Sequence, residues 1–184
     1  MTINDPHMTT TKLIILAIST ILIILFSWFV SIREKRYHGI PRFFVFEGLL
    51  LLGLLQWKVW FEDPFAFRQI ISWVFLIMSV YYVIASAFLY HRYALHGQNF
   101  ENSTRLVTKG LYHYIRHPMY ASLLFLGWGM FFKDINLVSI IIIAIVSVAV
   151  FLTCKVEEQE MIKKFGEEYK AYMYKTKMWI PRLI

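Results

Sequence analysis

The chain has 184 residues, 58% of them apolar and only 17% charged, with a mean hydropathy of +0.54. A water-soluble domain carries about 45–50% apolar and about 25% charged residues, so this composition excludes a soluble enzyme, a disordered chain and a secreted disulfide scaffold. The net charge of +7 does not point to nucleic acid, because the basic residues are spread through short segments between apolar runs, the pattern of a multi-pass protein facing an anionic leaflet.

About 20 apolar residues are needed to cross about 30 Å of hydrocarbon as a helix. In chain order the predicted spans are Leu13–Ile32, Phe43–Trp60, Gln69–Tyr90, Pro118–Phe132 and Leu137–Lys155. Only Lys133-Asp134-Ile135-Asn136 separates the last two, which predicts a tight helical hairpin over 118–155. The fold class is therefore all-α, an integral-membrane bundle of five transmembrane helices in one domain. Residues 1–12 form an extracytoplasmic tail, of which 1–7 read as a cloning remnant ahead of a native start at Met8. Residues 13–95 form a three-helix part, and 96–184 carry most of the polar chemistry. The first span is no cleavable signal: it is too long for a signal h-region, few basic residues precede it, and no A-x-A site follows.

Charge asymmetry sets the expected orientation. Fifteen Lys and Arg lie in 33–42, 91–116 and the tail from Lys155, whereas the other side holds only Lys12, Arg68 and Lys133. The positive-inside rule puts the N-terminus outside and the C-terminus in the cytoplasm, which agrees with an odd number of spans.

The polar residues gather in two cytoplasmic segments, joined by the hairpin so that their membrane-proximal ends meet. Arg116-His117 precedes the fourth span and Glu157-Glu158 follows the fifth. Pro118 suits the first turn of a helix, which leaves Arg116 and His117 beside a helix N-terminus able to hold an anion. Basic residues at a membrane boundary also meet lipid headgroups, and Glu157-Glu158 could be a solvated helix end. Their meeting at one hairpin favours a site. His113 and His117 have i, i+4 spacing, but Tyr114 stands where a zinc protease needs its Glu, so no metal is expected. Glu47 lies inside the second span, where acids are functional candidates or partners of a neighbouring helix. From Glu157 onward, Ile162, Phe165, Tyr169, Tyr172 and Met173 recur at spacings of three and four. This predicts a cytoplasmic amphipathic helix, interrupted at Gly166, that acts as an anchor or closes over a site.

The blocks LVTKGLYHYIRHPMY (106–120), EE (157–158), FGEEYKAY (165–172) and IPR (180–182), set in this order around a hydrophobic hairpin, resemble the isoprenylcysteine carboxyl methyltransferase family, which is related to the phospholipid methyltransferases. The resemblance covers about residues 96–184. It implies S-adenosylmethionine as cofactor, contacted by Gln98, Thr104, Arg105, Leu106, Val107, Tyr112, His117 and Glu157, with Arg116, Tyr120 and Glu158 as close companions. Arg116 and Glu158 are the candidates for a catalytic role. The cofactor's methionine end carries a carboxylate and an ammonium, so a site offering both Arg/His and Glu is complementary to it. The implied reaction methylates a lipophilic or prenylated acceptor, foremost the carboxylate of an isoprenylcysteine. One departure bears on that substrate: Thr153 stands where the eukaryotic prenylcysteine enzymes have an arginine one turn before the glutamate. Alternatives are a phospholipid or amine N-methyltransferase, an NADPH-dependent sterol-type reductase, and a small non-enzymatic transporter or assembly factor.

Overall fold

A computed structural model describes residues 6–93 and 106–181. Six α-helices carry these segments: α1 (Pro6–Val30), α2 (Gly39–Gln56), α3 (Phe67–Tyr93), α4 (Pro118–Phe131), α5 (Leu137–Phe165) and α6 (Glu167–Lys175). Among the described residues, four stretches are long and apolar enough to cross a membrane, Thr10–Glu34, Gly39–Val59, Phe67–Tyr93 and Leu137–Phe165, as fits a multi-pass membrane protein. The fourth predicted span is the exception. As α4 it has 14 residues, about 21 Å at 1.5 Å per residue, because Pro118 sets its start and the 132–136 turn its end.

The largest helix–helix contacts are α3 with α4 and α2 with α5. Small residues permit close approach where no water drives association: a Cβ at Gly48 would fall 2.4 Å from Val146 Cγ2. The main core gathers Val45, Leu49 and Leu52 of α2 against Ile143, Val146, Ala149 and Val150 of α5. α1 packs chiefly on α2 and exposes much of its length, including Phe26 and Phe29 at 44% and 57%.

Two of the boundaries that differ from expectation bear on the polar end of the bundle. α2 begins at Gly39 rather than Phe43, since Pro41 falls in the first turn, where no intrahelical N–H bond is required. α5 continues ten residues past Lys155 without a break. Nothing before Gly166 interrupts it, and Lys163 and Lys164 in its last turn complement the helix dipole. Gly166 then ends the helix at φ 57°, a region that favours glycine, and α6 follows at once. The hairpin turn is as predicted. Asn136 caps α5 in a reciprocal box with Ser139, its Oδ1 accepting from Ser139 N at 2.9 Å.

At that end of the bundle Lys133 is fully buried. Its Nζ donates to Gln69 Oε1 at 2.9 Å and to the Trp60 carbonyl at 3.2 Å, and lies 3.7 Å from the centre of the Trp73 ring. Gln69 donates onward to the Val59 carbonyl, Gln56 to the Asp134 carbonyl, and Arg68 to the Lys133 carbonyl. The basic residue counted as a surface charge in the sequence thus ties α2, α3 and the α4–α5 turn together.

Candidate functional site

At the opposite end the chain enters α4 through Tyr114–His117, held in place by the C-terminal segment. Arg116 N and His117 N donate to the carbonyls of Lys177 and Met178 at 2.7 and 3.1 Å, and Lys177 N donates to the Tyr114 carbonyl at 3.0 Å. The result is a short parallel pairing centred on Ile115 and Lys177. It leaves Arg116 and His117 on the last residues before α4, level with Glu157 and Glu158 of α5.

The four side chains divide into an inner and an outer pair. Arg116 Nε donates to Glu158 Oε1 at 2.8 Å, and the same guanidinium bonds the carbonyls of Met173 and Thr176. Glu158 is 1% exposed and also accepts from Lys155 at 3.2 Å. This inner pair therefore clamps the tail onto the helical hairpin. His117 Nδ1 lies 4.0 Å from Glu157 Oε2, and its Nε2 lies 3.5 Å from Glu158 Oε1. Both His117 Nε2 and Glu157 Oε2 are buried without a hydrogen-bond partner. Buried polar atoms are satisfied in the great majority of cases, so an imidazole and a carboxylate that share this condition mark a place for a ligand.

They border a cavity of about 670 Å³, within the range of small-molecule sites. Leu106, Val107, Tyr112, Arg116, His117, Tyr120 and Glu157 all line it, so these seven residues picked out in the sequence come together around one space. Glu158 does not line it; it stands behind the wall, against Arg116. Gln98, Thr104 and Arg105 lie outside the described residues. Thr153 is fully buried, its Oγ1 donating to the Ala149 carbonyl at 2.7 Å. Glu47 is away from the cavity lining, accepting from Thr20 Oγ1 of α1 at 2.8 Å.

The tail helix closes over the site. Tyr169 and Tyr172 of α6 line the cavity, and Tyr172 Oη donates to the Tyr112 carbonyl at 2.6 Å. Burial, followed by the nearby Glu157 charge, raises the phenol pKa of both Tyr112 and Tyr169, and burial raises that of Tyr172. All three hydroxyls therefore stay protonated at physiological pH, and that of Tyr172 is a donor.

The other wall comes largely from the N-terminal helices. Phe26 and Phe29 of α1, Arg36 and His38 of the intervening turn, Arg42 and Phe46 of α2, and Lys164 of α5 are among the residues that line this side. His38 Nδ1 lies 2.7 Å from Glu160 Oε2, which fastens this wall to α5 across 122 residues of sequence. The available signal was Arg42 itself, a cation beside Pro41 at the start of an apolar run.

The profile of the phospholipid methyltransferase family matches residues 65–168. Methanethiol S-methyltransferase 1 of Bradyrhizobium diazoefficiens is 26% identical over 145 residues, covering 72% of this chain and 50% of that protein. Methanethiol S-methyltransferase of Crocosphaera subtropica is 24% identical over 149 residues, covering 72% of this chain and 56% of that protein. The chain thus spans about half the length of the curated relatives it matches. No solved structure matches it.

Proposed function

This chain belongs to the phospholipid methyltransferase family, and we propose on that premise that it transfers a methyl group from S-adenosylmethionine to an acceptor with a lipophilic body. The observation that carries the reading is the pair of partnerless buried atoms, His117 Nε2 and Glu157 Oε2, on the wall of a cavity large enough for a cofactor and more. When bound, the cofactor supplies an electrophilic methyl group on a sulfonium, and its methionine end offers an ammonium and a carboxylate. Glu157 suits the cationic groups, and His117, with Arg116 beside it, suits the carboxylate. Tyr112, Tyr120, Leu106 and Val107 complete the proposed contacts, and Gln98, Thr104 and Arg105 join them through the resemblance of their segment. Glu158 is a positioning residue: it fixes Arg116 and the edge of His117 and does not face the cavity.

A carboxylate acceptor is ionised at neutral pH and needs no base. The protein then contributes alignment, which can supply about 7–11 kcal/mol, and exclusion of water from the charges. An isoprenylcysteine carboxylate is an acceptor of this kind. A second reading, in which the acceptor is a thiol, is favoured by the names of both curated relatives; His117 would then take the thiol proton on Nε2. In either case the charge asymmetry of the chain favours a cavity mouth on the cytoplasmic face.

The test supplies methyl-labelled S-adenosylmethionine to the protein in nanodiscs with N-acetyl-S-farnesylcysteine, a long-chain alkanethiol or phosphatidylethanolamine, beside an NADPH control. Label in the acid supports the first reading and label in the thiol the second. Label in the amine lipid alone would overturn both acceptor assignments. NADPH consumption without methyl transfer would overturn the methyltransferase reading itself.

A further inference from the structure

We propose that the Tyr169 hydroxyl donates a hydrogen bond to the carboxylate at the methionine end of the cofactor, which makes α6 part of the cofactor site; the inference rests on the methyltransferase reading above. Tyr169 and Tyr172 stand three residues apart on α6 and so share one face of that helix. Both are buried, with ring centres 5.8 Å apart, and both line the cavity. Their hydroxyls are in opposite conditions. That of Tyr172 is spent on the Tyr112 carbonyl at 2.6 Å, with the Ile115 carbonyl at 3.4 Å. That of Tyr169 bonds to no group among the described residues; Glu157, Glu158 and Arg116 act on it through space only. Tyr169 is 3% exposed, and polar groups at that depth are partnered in the great majority of cases. A phenylalanine would fill the same wall, so the hydroxyl marks a contact that the protein alone does not complete.

The surroundings select the group it meets. Burial, then the Glu157 charge, keeps the phenol protonated, so it offers a donor, and a hydrogen bond to an ionised oxygen is the strong kind. In the proposed site Glu157 takes the cofactor's ammonium and His117 its carboxylate, and those two charges hang from one carbon. A donor close to Glu157 is therefore close to the carboxylate as well. Tyr112 also feels Glu157, but Tyr169 lies toward Arg116, whose guanidinium bonds the Met173 and Thr176 carbonyls at the far end of α6. The carboxylate side of the site is thus the side that α6 covers. The clamp is made within the protein, so Tyr169 is held in place before any ligand arrives. Gly166 permits this placement, because its φ of 57° lets α6 start directly where α5 stops.

The test removes each partner of the bond in turn. Binding to the full chain in nanodiscs is measured by calorimetry for S-adenosylhomocysteine, which keeps the carboxylate and cannot react, and for its decarboxylated form, which keeps the adenosine and the ammonium. Tyr169→Phe preserves the ring and removes only the hydroxyl. It should weaken S-adenosylhomocysteine by about tenfold or more and leave the affinity for the decarboxylated form unchanged, which also shows that the variant is folded. Unchanged affinity for S-adenosylhomocysteine in the variant would overturn the proposal. So would equal weakening of both ligands, which would assign the hydroxyl to the adenosine or to the wall itself. A second measurement needs no substitution: in wild type at saturation, amide exchange of Glu167–Lys175 should be slower with S-adenosylhomocysteine than with the decarboxylated form. Equal protection by the two would likewise overturn the proposal. Failure of folded wild type to bind either ligand would instead overturn the methyltransferase reading.

Discussion

At one end of the bundle Lys133 is wholly buried and its ammonium is used up by Gln69, the Trp60 carbonyl and the faces of Trp60 and Trp73. At the other end His117 is buried too, but its Nε2 and the neighbouring Glu157 Oε2 make no hydrogen bond, and both residues line a cavity. Both ends bury ionisable groups within an apolar protein, which carries a desolvation cost. Where a buried charge is engaged on all sides, as the Lys133 ammonium is, its product is stability: α2, α3 and the α4–α5 turn are fixed in register. Where buried polar groups are left open beside a cavity, we assign the missing partner to a ligand. Burial alone does not separate structural from functional charge; the state of the partners does.

The contrast predicts different losses at the two ends. Arg116→Ala should have the largest effect, because it strips the buried Glu158 of its main partner and releases the carbonyls of Met173 and Thr176. A cost of about 3–5 kcal/mol is expected, measured by chemical unfolding in detergent, together with loss of cofactor binding. Lys133→Ala should destabilise by about 2–3 kcal/mol by orphaning Gln69 Oε1 and opening a void. The protein that remains folded should bind cofactor as wild type does. Glu157→Gln should reverse that pattern, with unfolding unchanged and cofactor affinity reduced by about 1.5–3 kcal/mol, roughly ten- to a hundredfold. Tyr172→Phe should be mildest, costing about 1 kcal/mol of stability through its bond to the Tyr112 carbonyl. If Lys133→Ala abolished cofactor binding in a folded protein, the division between the two ends would be broken.

Much of the C-terminal half is readable because its signals are local. Pro118 marks the start of α4, the four-residue turn 133–136 sets the hairpin, and the hairpin brings Arg116-His117 and Glu157-Glu158 to one level. The resemblance extended that to Leu106, Val107, Tyr112 and Tyr120, all of which line the cavity. Other features had no local signature. The pairing of 114–117 with 177–178 joins segments some sixty residues apart, and His38 meets Glu160 across 122 residues. No local pattern shows that the α1–α2 segment walls a cavity. Arg42 and Lys133 entered the orientation count as surface cations, because hydropathy registers a charge but not the fold that buries it. The division of labour between Glu157 and Glu158 was equally hidden, since adjacent residues on a helix point about 100° apart and only the packed structure decides which one meets the cavity.

The central claim is that the open polar end is a cofactor site, and calorimetric titration with S-adenosylmethionine tests it most directly. The purified wild type would be compared with Glu157→Gln and with Lys133→Met, which alters the closed end while keeping side-chain length. Saturable binding by wild type and Lys133→Met, weakened about tenfold or more in a folded Glu157→Gln, is the predicted result. No binding by folded wild type, or equal affinity in Glu157→Gln, would contradict the account.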